Sequence, residues 1–308
     1  MRQAFVKSLL NTASRNKNIV LLTGDLGYTV FEDFIKQFPS RFFNMGVSEA
    51  NMMSVACGMA QSGLCPVVYS IATFVTMRGF EQIRTDICDH KSNVKIVGSG
   101  AGLSYGYYGN SHYSLEDISI MRVLPNMTVV CLSDATLTSV AIPEIIAFNG
   151  PVYVRLGKKG EPAVYNRKPS FKIGKGIRIK NGSEATIIAT GNIVYNAFSA
   201  ARILEKKGIN VSVIDMHTIK PIDRKILDDS VKQSKFIFTV EEHFITGGLG
   251  SAVAEVIAGE RKKARLFRLG VEDKFVNKVG SQKYLRDFYH LSPEKIALDI
   301  TRVLKKYN

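Results

Sequence analysis

Three short stretches of this sequence carry side chains that could move protons or hold a planar ligand. "GVSEANMMSVACGMAQ" (46–61) puts Glu49 at the mouth of an otherwise apolar run. It reads as a helix with Ser48 as N-cap and with Met52, Met53, Val55, Ala56 and Met59 around the axis, the pattern of a buried helix. An acid in a first turn meets the positive end of the helix dipole for about 0.3–1 kcal/mol, which alone would account for its position. "YYGNSHYS" (107–114) places His112 in a glycine-punctuated polar loop. A lone loop histidine is usually just solvated, but its near-neutral titration suits general acid–base chemistry. In "TFVTMRGF" (73–80), Phe74, Met77 and Phe80 recur at i, i+3 and i+6 near one side of a helix or helix entry, a stripe that is more often core than ligand wall. Arg78 within it either pairs with an acid or substrate or is an exposed structural arginine. "TGGLGSAVAEV" (246–256) has glycines opening a helix, where phosphate could bind, although a tight turn is the favoured reading.

The elements that must position these residues alternate regularly. "NIVLLTG" (18–24), "PVVYS" (66–70), "NVKIVGSG" (93–100), "MTVVCLS" (127–133) and "PVYVRL" (151–156) read as buried strands, with helices near 29–37, 48–62, 76–88 and 134–148. A basic stretch over 157–183 interrupts the rhythm. It resumes with strands at 185–190, 210–216, 235–240 and 264–269 and helices near 194–208, 248–260 and 293–306. This is the βαβ pattern of parallel sheets covered on both faces. The fold class expected is α/β, two domains, each a mostly parallel sheet flanked by helices: 1–160, a linker over 161–181, and 182–308.

Composition narrows the functional classes. The formal net charge is +14, yet tryptophan, RNP-like and zinc-finger patterns and aromatic–basic interleaving are all missing, so nucleic acid is not expected as a partner. Basic stretches of this kind more often serve as solvated linkers or attract anionic metabolites or an acidic subunit. Cys57, Cys65, Cys88 and Cys131 are widely spaced, with no CxxC pair or Cys/His ligand spacing, so neither a metal site nor a disulfide framework is indicated and a cytoplasmic setting is expected. No apolar run approaches the ~18 residues that span a bilayer, and no membrane role is expected. The basic N-terminus lacks an apolar signal core and reads as an amphipathic first helix of the mature protein.

Taken in order, "GVSEANMMSVACGMAQSG", "ATFVTMRGFEQIRTDIC", "GAGLSYGYYGNSHYSLEDISIMRVLPNMTVV", "VIDMHTIKPID" and "EEHFITGGLGSAVAE" resemble the C-terminal half of transketolase, a thiamine diphosphate enzyme. The resemblance covers nearly the whole chain. It implies a pyrimidine-binding domain followed by the transketolase C-terminal domain. It implies that Glu49 hydrogen-bonds the aminopyrimidine ring, favouring the tautomer that deprotonates the thiazolium carbon. Burial disfavours the charged form of a carboxyl group, which suits a group sharing a proton at neutral pH. Phe74 and Phe80 match positions that pack on the aminopyrimidine, Met77 stands where many relatives carry an aromatic, and Asp25 is assigned to the cofactor. His112 matches the active-site histidine that contacts substrate oxygens, with Lys158, Tyr108 and Thr29 as further substrate residues. His243 matches a recurrent position, for which a structural or interface role is favoured.

The resemblance also implies what lies elsewhere. In full-length transketolases the diphosphate and its Mg²⁺ or Ca²⁺ bind an N-terminal domain with a GDG motif; no GDG occurs here, and "TGDLG" around Asp25 has a different context. A partner N-terminal subunit in an α₂β₂ assembly follows. The expected reaction is transfer of a two-carbon ketol unit from a ketose to an aldose, on sugar or sugar-phosphate substrates. Three departures bear on the substrate: Gly98 and Gly100 replace side chains that help hold a sugar phosphate, Lys158 stands where an arginine is usual, and Tyr108 replaces an aspartate. The β subunit of a 2-oxo acid dehydrogenase and a non-catalytic regulatory subunit are the alternatives.

Overall fold

The structure, a computed structural model, describes residues 1–259 and 264–307. The last residue of the helix expected over 248–260 and the final residue of the second expected domain, at 308, lie outside them. Two sheets form. The first has seven strands: β1 (Ile19–Thr23), β2 (Phe42–Asn44), β3 (Cys65–Ile71), β4 (Lys95–Ser99), β5 (Thr128–Cys131), β6 (Val152–Leu156) and β10 (Thr218–Lys220). The second has five: β7 (Ile177–Lys180), β8 (Ala185–Ala189), β9 (Val211–Asp215), β11 (Phe236–Phe244) and β12 (Arg265–Val271). Their orders are β10-β5-β6-β4-β3-β1-β2 and β12-β11-β8-β9-β7.

All pairings are parallel except at one edge of each sheet, where β10 and β7 run antiparallel to β5 and β9. β1, β3, β4, β5 and β6 are buried throughout. That explains why they read as continuous apolar runs rather than alternating ones. β7 falls inside 161–181, the range read as linker, and β10 leaves the second unit to complete the first sheet. A single apolar cluster accordingly joins Leu22, Met52 and Ile96 of the first unit to Ile188, Ile214 and Val253 of the second.

The helix expected near 76–88 is divided in three: Ala72–Met77, Phe80–Gln82 and a π-helical turn over Ile83–Asp89. The break falls at Arg78–Gly79. A Cβ at Gly79 would stand 2.9 Å from Met53 Cγ and 3.3 Å from the Glu49 carbonyl oxygen, so a glycine lets this break press against the start of the Glu49 helix.

Candidate active site

Parallel pairing decides where the chemistry gathers. Asp25 follows β1, Glu49 follows β2, Phe74 and Arg78 follow β3, His112 lies in the loop after β4, and Lys158 stands two residues beyond β6. Because these five strands run the same way, their carboxyl ends share one edge, where open α/β sheets bind ligands.

Glu49 opens the helix Glu49–Gln61 and is only 3% exposed. Ser48 holds the N-cap position, but its hydroxyl donates back to the Met45 carbonyl at 2.9 Å instead of capping the helix. Arg78 Nη1 donates to both Glu49 oxygens, at 3.2 and 3.1 Å, and Ser70 Oγ approaches Oε1 at 3.4 Å. The Arg78 guanidinium lies 3.8 Å above the Phe74 ring. Arg78 thus pairs with an acid while its side chain stays exposed. Gly24 faces this carboxylate: a Cβ there would fill the space 3.6 Å from Glu49 Oε1.

Phe74 leads directly to the histidine. Its ring stands 5.0 Å from that of His112, edge to face, and Tyr105 and Tyr108 close the other sides at 5.4 and 4.9 Å. Ser111 Oγ lies 2.9 Å from His112 Nδ1. Burial first, then the positive charges of Lys158 and Arg78, lower the pKa of His112, so a neutral imidazole prevails at pH 7. The Lys158 ammonium sits 4.1 Å from the Tyr105 ring and 5.3 Å from that of Tyr108, and its own pKa is lowered by burial and by Arg2. Glu49, Arg78, Phe74, His112, Tyr108 and Lys158 therefore form one continuous surface of acid, aromatic and base.

The remaining residues read from sequence are placed differently. Met77 is 40% exposed and accepts from Thr73 Oγ1 at 3.3 Å. Phe80 packs against the core cluster that holds Met52, Met53 and Ile83. The helix break after Met77 puts Phe80 beyond the helix that carries Phe74. Asp25 and Thr29 both adopt positive φ, at 54° and 62°. Asp25 Oδ1 accepts from Asn44 Nδ2 and the Tyr28 hydroxyl at 3.0 and 2.9 Å, bonds that lower its pKa, and the Thr29 amide donates to Glu32. Gly98 and Gly100 leave no open space. A Cβ at Gly98 would meet the Tyr153 hydroxyl at 2.7 Å, and one at Gly100, where φ is +81°, would strike Tyr105 at 2.0 Å. Tyrosine side chains fill the volume at both positions.

Sequence reasoning missed a second polar centre, between the sheets. Arg155 on β6 donates to Asp117 Oδ2 at 2.7 Å and to the carbonyls of Ser114 and Glu242 at 2.9 and 3.0 Å, while the Tyr153 hydroxyl reaches the same Asp117 oxygen at 2.6 Å. Glu242 on β11 accepts from the Leu103 amide at 2.7 Å and Gln282 at 2.8 Å and pairs with Arg286. "YVRL" and "EEHF", charged residues inside otherwise apolar strands, were the signals available. His243 lies fully buried, its Nε2 3.4 Å from the Ser119 amide nitrogen, and burial lowers its pKa to about 4. Glu241 accepts from the amides of Leu249 and Gly250 at 2.7 and 2.8 Å, so the chain's own carboxylate fills the helix start in "TGGLGSAVAEV". Burial pushes that carboxyl up to about 7.

The fold and this edge define a two-unit α/β chain with a buried acid, an aromatic wall and a neutral histidine at the strand ends. The transketolase pyrimidine-binding domain matches residues 1–161, and the transketolase C-terminal domain matches residues 174–296. The chain is 41% identical to a putative transketolase C-terminal section of Methanocaldococcus jannaschii, over 99% of its own length and 96% of that protein's. It is 35% identical to one subunit of the apulose-4-phosphate transketolase of Phocaeicola vulgatus, over 99% and 97% of the two chains. A split-gene transketolase solved as an inactive β4 tetramer superposes with a TM-score of 0.89 at 39% identity, covering 99% of this chain and 97% of that one. The transketolase of Campylobacter jejuni shares the fold at 16% identity and a TM-score of 0.83, with this chain covering 46% of it. The chain belongs to the transketolase family, whose members depend on thiamine diphosphate.

Proposed function

We propose that this chain is the C-terminal subunit of a split transketolase, moving a two-carbon ketol unit from a ketose to an aldose when joined to an N-terminal subunit. Residues 1–160 form its pyrimidine-binding unit and 182–308 its C-terminal unit, to whose sheet β7 of the connecting stretch is added. The observation that carries the reading is the buried Glu49 carboxylate, joined through Arg78 to the face of the Phe74 ring, at the carboxyl edge of a sheet that matches the pyrimidine-binding domain. The residues fit the aromatic end of thiamine diphosphate: a desolvated acid for a ring nitrogen, a flat face for the ring, and the space left by Gly24.

Bound thiamine diphosphate supplies the electron sink for breaking the bond between the ketol carbons and the rest of the sugar. Glu49 would hydrogen-bond the aminopyrimidine with Phe74 as the wall, and Met77, Phe80 and Asp25 are assigned to the same cofactor on the family resemblance alone. His112, neutral at pH 7, would take and return protons at substrate oxygens beside Tyr108, and Thr29 is assigned to the substrate on the family resemblance alone. Lys158 meets an anionic group on the far end of the sugar as a point charge. Two relatives are named for 6-deoxy-6-sulfo-D-fructose and apulose-4-phosphate, both anionic sugars, which favours this role. The diphosphate and its Mg²⁺ or Ca²⁺ belong to a GDG motif on the partner, giving an α₂β₂ enzyme in the cytoplasm. No described helix is long and apolar enough to cross a membrane.

Calorimetry tests the division of labour. Thiamine diphosphate with Mg²⁺ binds the single chain weakly or not at all, and tightly once the partner is added. Full turnover by this chain alone would overturn the reading.

A further inference from the structure

Arg78 is engaged twice. Its Nη1 donates to both oxygens of Glu49, and its guanidinium covers the face of Phe74 at 3.8 Å. Those are the two groups with which this chain would receive an aminopyrimidine ring. A guanidinium is itself a planar, delocalised array of N–H donors that satisfies a carboxylate and stacks on an aromatic face. Arg78 thus makes with Glu49 and Phe74 the same two contacts that a flat heteroaromatic base would make, and the two cannot be present together.

Which partner can leave is decided by exposure. The Arg78 side chain is 44% exposed and that of Glu49 only 2%. Arg78 also stands at the C-cap of the helix Ala72–Met77, where the helix breaks, so its side chain can turn outward without disturbing a helical interior. Glu49 has no such freedom, and a buried carboxylate without a partner is strongly unfavourable.

We propose that Arg78 is a placeholder: it closes the Glu49–Phe74 pocket while the cofactor is away and swings aside when thiamine diphosphate enters. The proposal rests on the reading of this pocket as the pyrimidine site. Its consequence is quantitative, because a ligand that binds only the open pocket has its apparent affinity reduced by the open fraction.

The test is calorimetry of thiamine diphosphate with Mg²⁺ on the two-subunit assembly, comparing wild type, Arg78→Gln, Glu49→Gln and the double variant. Arg78→Gln binds about two- to fivefold more tightly than wild type, the size expected for releasing a half-exposed ion pair. In the Glu49→Gln background the same change has little effect, because the carboxylate that holds Arg78 is already gone. Arg78→Gln also lowers the melting temperature of the cofactor-free chain and leaves that of the cofactor-saturated assembly unchanged. Should Arg78→Gln fail to fold, Arg78→Lys keeps the charge but cannot cover the ring, and tightens binding by a smaller factor. Unchanged or weaker binding in the Arg78 variants overturns the placeholder. A wild-type assembly that does not bind thiamine diphosphate at all overturns the pocket reading instead.

Discussion

Two arginine–carboxylate pairs in this chain share their chemistry and differ in their surroundings. Arg155 and Asp117 meet at 2.7 Å with side chains 1% and 0% exposed, and the guanidinium is tied to two carbonyls as well. Arg78 and Glu49 meet at 3.1 Å, but only the acid is buried. The first pair has no route to solvent and holds the two sheets together. The second is half open, and its acid can exchange one partner for another. A buried carboxylate serves structure when its partner is buried with it, and chemistry when its partner can be replaced.

The largest effect expected is on turnover. Glu49→Gln in the assembled enzyme slows the reaction by about 10²–10⁴-fold, the usual weight of a positioned acid–base group. Stability of the chain changes by only about 1 kcal/mol, because Arg78 can rehydrate. Exchange of the cofactor's thiazolium proton, followed by NMR, checks it; an unchanged exchange rate would show that Glu49 is not the acid.

Asp117→Ala probes the closed pair. Removing the acid strands a buried guanidinium, and the expected loss is about 3–5 kcal/mol of folding stability, measured by urea unfolding. A loss near 1 kcal/mol, at the level of an exposed pair, would mean that the two pairs are energetically alike.

The third prediction concerns pH. Asp215, at the end of β9, accepts from Ser133 and the Tyr165 hydroxyl at 2.6 and 2.8 Å. Burial raises its carboxyl to about 7; those two hydrogen bonds oppose the rise and Asp134 adds to it. Between about pH 4 and 7 the folded chain therefore holds a proton that the unfolded chain has released. The stability this contributes is present in full below about pH 4 and is lost as pH rises through about 7. Asp215→Asn keeps an acceptor but cannot ionise, so it gains on wild type as pH rises, by up to about 1.4 kcal/mol per pH unit. Parallel curves for the two proteins would count against a protonated Asp215.

The smallest effect is at the rim. Lys158→Ala raises KM for a phosphorylated ketose by about three- to tenfold, with a lesser effect on the unphosphorylated analogue, as suits a partly exposed point charge. Equal effects on both would remove Lys158 from substrate recognition.

Local sequence determined more of this molecule than its low density of motifs suggests. The apolar runs of β1, β3, β4, β5 and β6 announce a buried parallel sheet because each strand is covered on both faces, and that cover leaves its mark in consecutive residues. Glu49 and His112 stood out for the same reason: each is a proton-carrying group in a conspicuous local setting. The three-residue strands β2 and β10 left no such mark, since so short a run has no period to read, and β10 pairs with a strand of the other unit. Nor could spacing reveal that Arg78 reaches back 29 residues to Glu49, that Glu242 reaches 139 residues to the Leu103 amide, or that tyrosines fill the space beside Gly98 and Gly100. Which acid exists, and on which element, is written along the chain. What that acid touches depends on how parallel strands bring distant loops to one edge, and only the tertiary structure decided it.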